Sequence, residues 1–371
     1  MASKGPVAMK SRISLDHAAT TPVNAAARAA MMAALDLGGN PSSVHAGGRA
    51  AHALLEGARD AVARFAGVAA EQIVFTSGGT EALALAANGA RLAGPARPRF
   101  LVGATEHSAV LQARDDAVVM PVDSSGLIDL AALVAVLADG PALVAVQAAN
   151  NETGVIQPLA EVATLVRDTG GLLLVDAVQA AGKMTLPDAD FVALSAHKLG
   201  GPPGVGALIV KDPASLIPVQ RGGGQERGHR GGTPNLPGIA GFAAAVAEPH
   251  DWNAVAARRM ALETWLKAAG AIIHGEAAPR LPNISSIGLP GVAASTQVMM
   301  LDLEGFMVSA GAACSSGKVK SSHVLAAMGL GAAAGEAIRV SLSPATTDTE
   351  LDAFASAWLA MAARLGRKGA A

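Results

Sequence analysis

Tyrosine is absent from this 371-residue sequence, and cysteine occurs once. A lone cysteine excludes an intrachain disulfide, so burial must hold the fold, and a reducing, cytoplasmic setting is expected. The missing tyrosine accompanies an alanine-heavy composition and excludes no function. Charge is sparse too: 16% of residues are charged against 51% hydrophobic, with a formal net charge of −2. Such a chain has the apolar content of a large core and not the charge of a disordered one. No basic block stands out, which argues against nucleic acid as a partner. The longest apolar stretches, such as 238–247, are too short to span a bilayer, so no membrane partner is expected. Residues 1–14 mix Lys4, Lys10 and Arg12 with small residues and lack the apolar centre of a secretory signal. There is no HExxH, no CxxC, no P-loop and no GxSxG elbow, and the histidines have no metal-ligand spacing.

What is present is alternation. Apolar runs at 72–76, 100–103, 118–122, 143–147, 172–176, 191–195 and 205–210 read as buried strands, with helical patterns such as 158–167 between several of them. This order implies an α/β unit: a mainly parallel sheet covered by helices on both faces, with ligands gathering beyond the carboxyl ends of the strands. After about residue 249 the texture changes. Helices at 253–268 and 296–303, short strands near Ile272 and at 284–287, and a strand at 337–342 suggest a smaller α+β domain. A last helix starts with Thr347 and Glu350 at capping-box spacing and buries Leu351, Phe354 and Trp358. The expected division is 16–250 for the large domain, with 1–15 and 251–371 forming the small one.

Candidate chemistry sits at the strand ends. Ser77-Gly78-Gly79-Thr80-Glu81 lies between a strand and a helix beginning near Glu81. Free N–H groups at a helix start, with the Thr80 hydroxyl, suit a phosphate; an ordinary glycine turn capped by Thr80 is the alternative. Asp176 ends an apolar run, where a carboxylate is costly unless a cation or donors meet it. A protonated pyridine nitrogen would meet it, as would a structural ion pair or a helix to cap. Gln179, one turn on, can donate to a ring hydroxyl or face solvent. Lys198, in Ser195-Ala196-His197-Lys198, is placed to form an imine with a cofactor aldehyde, or is an exposed lysine like most. Ser195 and His197 could reach the same phosphate as Thr80, were one bound there. His107 can lie on a pyridine ring, shuttle a proton, or simply bond to backbone.

Asn151 can bind a ring oxygen or a substrate carboxylate, or shape a turn. Arg339 is a cation within an apolar strand and calls for a carboxylate, either a substrate's or an internal one. The polar stretch 223–233 can reach a phosphate through Thr233 or be a solvated loop. Cys314 stands among small residues and hydroxyls, with Lys318 and Lys320 nearby, which favours a movable, reactive thiol over a buried, inert one.

In this order and spacing the elements resemble the cysteine desulfurase family, NifS/IscS-like, within the class V aminotransferases. The resemblance runs from Leu15-Asp16-His17-Ala18-Ala19-Thr20-Thr21-Pro22 and Gly39-Asn40-Pro41-Ser42-Ser43-Val44-His45 through the glycine turn at Gly78, Glu106-His107, Asn150-Asn151-Glu152 and Asp176-Ala177-Val178-Gln179. It continues through Ser195-Ala196-His197-Lys198, Gly223-Gly224-Gln225-Glu226 and Gly232-Thr233 to Ala313-Cys314 and Ile338-Arg339. It implies a fold-type-I homodimer carrying pyridoxal 5'-phosphate as an imine on Lys198. Asp176 would pair with the pyridine nitrogen, Gln179 with the ring hydroxyl, and His107 would stack on the ring. Gly79, Thr80, Ser195 and His197 would hold the phosphate, with Thr233 from the neighbouring subunit. Asn151 would also contact the cofactor and, with Arg339, hold the substrate carboxylate.

The implied reaction converts L-cysteine to L-alanine, with Lys198 moving the Cα proton and the sulfur passing to Cys314 as a persulfide. His107 would manage the thiol proton. The sulfur would then go to a scaffold or carrier protein for iron–sulfur clusters or another product. Departures from the family pattern are Thr153, Gly200, Pro203, Ile209, Gly231-Gly232 and Ser315, none of them a catalytic group. The short end after the last helix leaves the acceptor open. A selenocysteine lyase or another pyridoxal-phosphate lyase or aminotransferase is the alternative, though those reactions need no protein thiol. A non-catalytic scaffold fits poorly with intact Lys198, Asp176, His107 and Cys314.

Overall fold

The computed structural model describes residues 12–92, 97–311 and 321–366. After β1 (Ile13–Ser14) come the strands of the main sheet: β2 (Ile73–Thr76), β3 (Arg99–Gly103), β4 (Ala117–Met120), β5 (Ala142–Gln147), β6 (Leu172–Asp176), β7 (Phe191–Ser195) and β8 (Gly206–Val210). Their order across the sheet is β2-β8-β7-β6-β5-β3-β4. The run from β4 through β3, β5 and β6 to β7 is parallel, and β8 is antiparallel to both β7 and β2. The mainly parallel sheet read from the alternating pattern is therefore the one observed.

The strands are apolar throughout because both faces are covered. In β5, Val144 and Val146 enter one core while Leu143 and Ala145 enter the other. The first core is closed by helices Ala46–Ala66, through Leu55 and Val62, and Leu159–Asp168, through Val162 and Val166. The second is closed by helix Gly79–Gly89, through Leu83 and Ala86. One strand departs from the expectation of burial. β4 is an edge strand, paired only with β3 in the sheet, and leaves Val118 and Val119 about half exposed, at 47% and 55%. β-Branched composition marked it as a strand but carried no information about its position in the sheet.

Beyond residue 250 follow β9 (Ile272–His274), β10 (Ile284–Gly288), β11 (Phe306–Met307), β12 (Ser309–Ala310) and β13 (Ala337–Ser341). An antiparallel sheet of order β12-β13-β10-β9 forms from four of them, and β11 pairs in parallel with β1. Its core contains Leu262, Leu266, Ile287, Phe354 and Trp358, with the Phe306 and Phe354 rings edge-on at 5.6 Å. The capping box forms as read: Thr347 N donates to Glu350 Oε2 at 2.8 Å, and Glu350 N to Thr347 Oγ1 at 3.2 Å.

The stretch 223–233 is more than a solvated loop. Glu226 turns inward with a left-handed φ of 46° and is buried. Its carboxylate takes Arg59 Nη1 at 2.7 Å, Arg59 Nη2 at 3.1 Å and the β2 amide Phe75 N at 2.8 Å. Arg59 is only 2% exposed, and without Glu226 its charge keeps only Glu56, 36% exposed and 3.2 Å from Nε, as a carboxylate partner among the described residues. Glu226→Ala is expected to cost about 3 kcal/mol of stability, seen as a lowered denaturant midpoint. An unchanged midpoint would show that the pair carries no net weight.

Candidate active site

The carboxyl ends of β3, β5, β6 and β7 converge on a cavity of about 410 Å³, closed on the far side by Asp16, Ala18 and Ala19 and by Ser309, Gly311 and Arg339. Ten of the residues singled out in the sequence line it: Gly79, Thr80, His107, Asn151, Asp176, Gln179, Ser195, His197, Lys198 and Arg339.

At one end helix Gly79–Gly89 begins without a side-chain cap, its N-cap being Gly78. Its first N–H groups lack intrahelical acceptors, and the Thr80 hydroxyl stands among them. Gly79 must be glycine: a Cβ there would lie 2.7 Å from Val178 Cγ2. The approach sets Gly79 close to Ser195, whose Cβ would be 3.5 Å away. Glu81 stiffens the turn, taking Ser77 N at 2.7 Å and Arg230 Nε at 2.7 Å.

In the middle lies Asp176, whose Oδ1 accepts Val178 N at 2.9 Å. Burial raises its pKa; the Val178 amide, His107 and Lys198 pull the other way. Such a carboxylate gains from a cationic partner inside the cavity. Lys198 leaves β7 on a short 3₁₀ turn and donates from Nζ to Ala18 O and Ala19 O, each at 2.6 Å. Gln179 Nε2 donates to the same Ala18 carbonyl at 2.8 Å.

His107 caps the helix Ser108–Leu111, its Nδ1 accepting Ala109 N at 3.1 Å. That bond puts the proton of the neutral ring on Nε2. Burial lowers the His107 pKa, with Asp176 opposing, so the neutral form is favoured. His197 is pushed down to about 4, by burial first and by the Lys198 charge second.

Arg339 resolves in favour of an internal partner in this state. Nη2 meets Asp16 Oδ1 at 2.8 Å and Nη1 donates to Asn151 O at 3.0 Å, while the buried Nε has no acceptor among the described residues. Asp16 also takes the Ser309 hydroxyl at 2.7 Å. Asp16 lies in the Leu15–Pro22 motif with no local signal of a role, because its partner Arg339 is 323 residues further along the chain. Glu106 and Glu152 likewise stand in motifs whose sequence names no partner for them. Glu106 Oε1 accepts Gln147 N at 2.7 Å, Oε2 has no partner among the described residues, and burial raises its pKa strongly.

One named residue stands apart from the cavity, and another lies outside the described residues. Thr233 lies on a separate hollow of about 60 Å³ with Ser77, Glu226 and Arg230. Cys314 lies outside the described residues, as do Lys318 and Lys320. Among the described residues no group of His, Cys, Asp or Glu is arranged to hold a metal ion, and no helix is long and apolar enough to cross a membrane.

An open helix N-terminus, a buried carboxylate and a lysine facing one another at the ends of parallel strands match what the sequence comparison finds. The chain belongs to the aminotransferase class-V family, whose sequence model matches residues 13–354, and within it to the cysteine desulfurases. The cysteine desulfurase of Cereibacter sphaeroides is 42% identical over 360 residues, covering 92% of this chain and 93% of its own. A solved NifS-like protein superposes with a TM-score of 0.85 at 33% identity, covering 94% of this chain and 99% of the other. A structure described as SspA in complex with cysteine superposes with a TM-score of 0.78 at 28% identity, covering 90% and 99% respectively.

The depressed His197 pKa has a consequence in the cofactor-free protein. The unfolded chain binds that proton at an ordinary value of 6.5 and the folded chain only near 4. The neutral ring's contribution is therefore complete above 6.5 and declines as pH falls towards 4. His197→Gln is expected to flatten the pH dependence of stability between those values, as measured by denaturant unfolding at several pH points. An equally steep profile in the variant would remove His197 as its source.

Proposed function

We propose that this chain is a pyridoxal-phosphate-dependent cysteine desulfurase that converts L-cysteine to L-alanine and carries the sulfur as a persulfide on Cys314. The observation that carries this reading is the convergence on one cavity of Lys198, Asp176, His107 and the open start of helix Gly79–Gly89.

The residues present suit that cofactor. Its phosphate would lie at the uncapped helix start, on Gly79, Thr80, Ser195 and His197. A neutral His197 accepts or donates there without repelling Lys198. Asp176 would face the pyridine nitrogen, which answers a carboxylate desolvated by burial. Gln179 would serve the ring hydroxyl, and His107 would lie against the ring. When bound, the cofactor supplies an electron sink for charge developing at the substrate Cα.

The chain's own groups then divide the work. Arg339, with one nitrogen unpaired among the described residues, and Asn151 would grip the substrate carboxylate and fix which Cα bond faces Lys198. Lys198, released from the Ala18 and Ala19 carbonyls, would take the Cα proton. The Cys314 thiolate would attack the substrate sulfur. The carbon–sulfur bond breaks with its electron pair moving to the carbon side, and a proton delivered to Cβ completes the methyl group of alanine. Held with its proton on Nε2, His107 is set to donate a hydrogen bond towards the cavity.

Sulfur would pass from Cys314 to an acceptor protein, for iron–sulfur clusters or another sulfur-containing product, and the setting would be cytoplasmic. A homodimer would bring Thr233 to the phosphate of the neighbouring site. The division into 16–250 and 1–15 with 251–371 belongs to the same reading, supported by the separate core around β13 and the last helix.

The test is turnover. Purified protein loaded with the cofactor is expected to be yellow and, with L-cysteine and a reductant, to release alanine and sulfide in equal amounts. Lys198→Ala should lose the normal chromophore. Cys314→Ala should stay yellow and release no sulfide. Full-rate sulfide from Cys314→Ala would point to a lyase that needs no protein thiol, and a protein that stays colourless with added cofactor would point away from catalysis.

A further inference from the structure

Glu152 has no part in the chemistry above, yet it is 3% exposed and stands beside the cavity wall. Its backbone is fixed: Glu152 N donates to Asn150 Oδ1 at 2.8 Å, and Asn150 Nδ2 donates in turn to Thr105 O at 3.0 Å. The carboxylate oxygen Oε2 lies against two residues, Gly311 and Ser322, that are far from Glu152 in the chain. A Cβ built on Gly311 would fall 2.2 Å from that oxygen, so a side chain there would displace the carboxylate from its place. The Ser322 hydroxyl also donates to it. Because Ser322 Oγ already accepts Leu325 N at 3.0 Å as the cap of helix His323–Ala327, its proton is free for Glu152.

Gly311 precedes and Ser322 follows the stretch that contains Cys314. Both ends have a second tie to the site. Two residues before Gly311, Ser309 donates to Asp16 Oδ2 at 2.7 Å. One residue after Ser322, His323 Nε2 lies 2.9 Å from Glu106 O, next to His107. Gly311 itself lines the cavity. Burial raises the Glu152 pKa, with the Ser322 bond opposing, and Oε2 accepts the Ser322 hydroxyl while the carboxyl is ionised.

We propose that Glu152 is a positioning residue for sulfur transfer: its carboxylate bonds Ser322 and packs against Gly311 at the cavity wall, so that the two residues flanking the stretch with Cys314 have defined places. This rests on the reading that Cys314 receives the sulfur. Loosening Gly311 and Ser322 shifts where that stretch begins and ends, while Lys198, Asp176 and the start of helix Gly79–Gly89 keep their own contacts.

The experiment uses the cofactor-loaded protein and separates the two halves of the reaction. Deuterium uptake at Cα of recovered L-cysteine in heavy water, with the cofactor absorbance, reports the first half and needs no Cys314. Sulfur mass on the Cys314 peptide and alanine formation in a single turnover report the second. In Glu152→Ala and Ser322→Ala the first half should stay within about threefold of the parent, while sulfur transfer slows by about tenfold or more. Glu152→Gln keeps an acceptor oxygen and should recover most of that loss. A parallel fall of both halves would mean a merely structural role, and transfer unchanged in Ser322→Ala would likewise overturn the proposal. The parent protein is the control for the functional reading: if it forms no sulfur adduct on Cys314, that reading fails and takes the role of Glu152 with it.

Discussion

One guanidinium joins the parts of this molecule that must meet for a site to exist. Arg339 sits on β13 of the second sheet, yet it bonds Asp16 from the entering chain and the Asn151 carbonyl beyond β5 of the main sheet. Side-chain exposure is 6% for Arg339 and 24% for Asp16, so the pair is largely out of water. A buried pair of this kind contributes little net stability but is expensive to break on one side, and its value lies in fixing geometry. Asp16 continues the link to Ser309. Two residues on, Ala18 donates its N–H to Ser341 Oγ at 2.8 Å and gives its carbonyl to Gln179 and Lys198. The short stretch from Asp16 to Ala19 thus serves as the seam between the two sheets.

Burial, more than direct ion pairing, sets the electrostatics within this frame. Asp176 and Glu106 are driven towards their neutral forms by desolvation, and His107 and His197 are driven the same way from the opposite charge state. The cavity therefore contains groups that gain when a charged ligand supplies the complementary partner. A phosphorylated, cationic-ring ligand would do so at both ends at once. The open start of helix Gly79–Gly89 adds donors that no side chain of the described structure claims as a cap.

Much of this was legible in the sequence for a simple reason: strands covered on both faces are apolar at every position, and their polar successors then stand out. Asp176 after Val175 and His197-Lys198 after Ser195 were visible in that way. β4 was misjudged as buried because Val118 and Val119 carry strand propensity without information about sheet position. Asp16 and Glu152 gave no local signal, since their partners Arg339 and Ser322 are distant in the chain and only the fold brings them near. Arg339 announced that it needed a carboxylate but not whose. The stretch 223–233 looked solvated because its composition is polar, and only the inward turn at Glu226 shows that its centre is buried.

That inward turn makes the polar stretch and the glycine turn one mechanical unit. Glu226 grips the amide of Phe75, two residues before Ser77, while Arg230 grips Glu81, which in turn holds the Ser77 amide. The two segments are braced at two points, like rungs between rails, with Arg59 as the outer post. The outer segment is therefore bonded, through Glu226 and through Arg230, to the strand and turn that lead into helix Gly79–Gly89. A polar outer stretch is thereby tied to the helix start that lines the cavity.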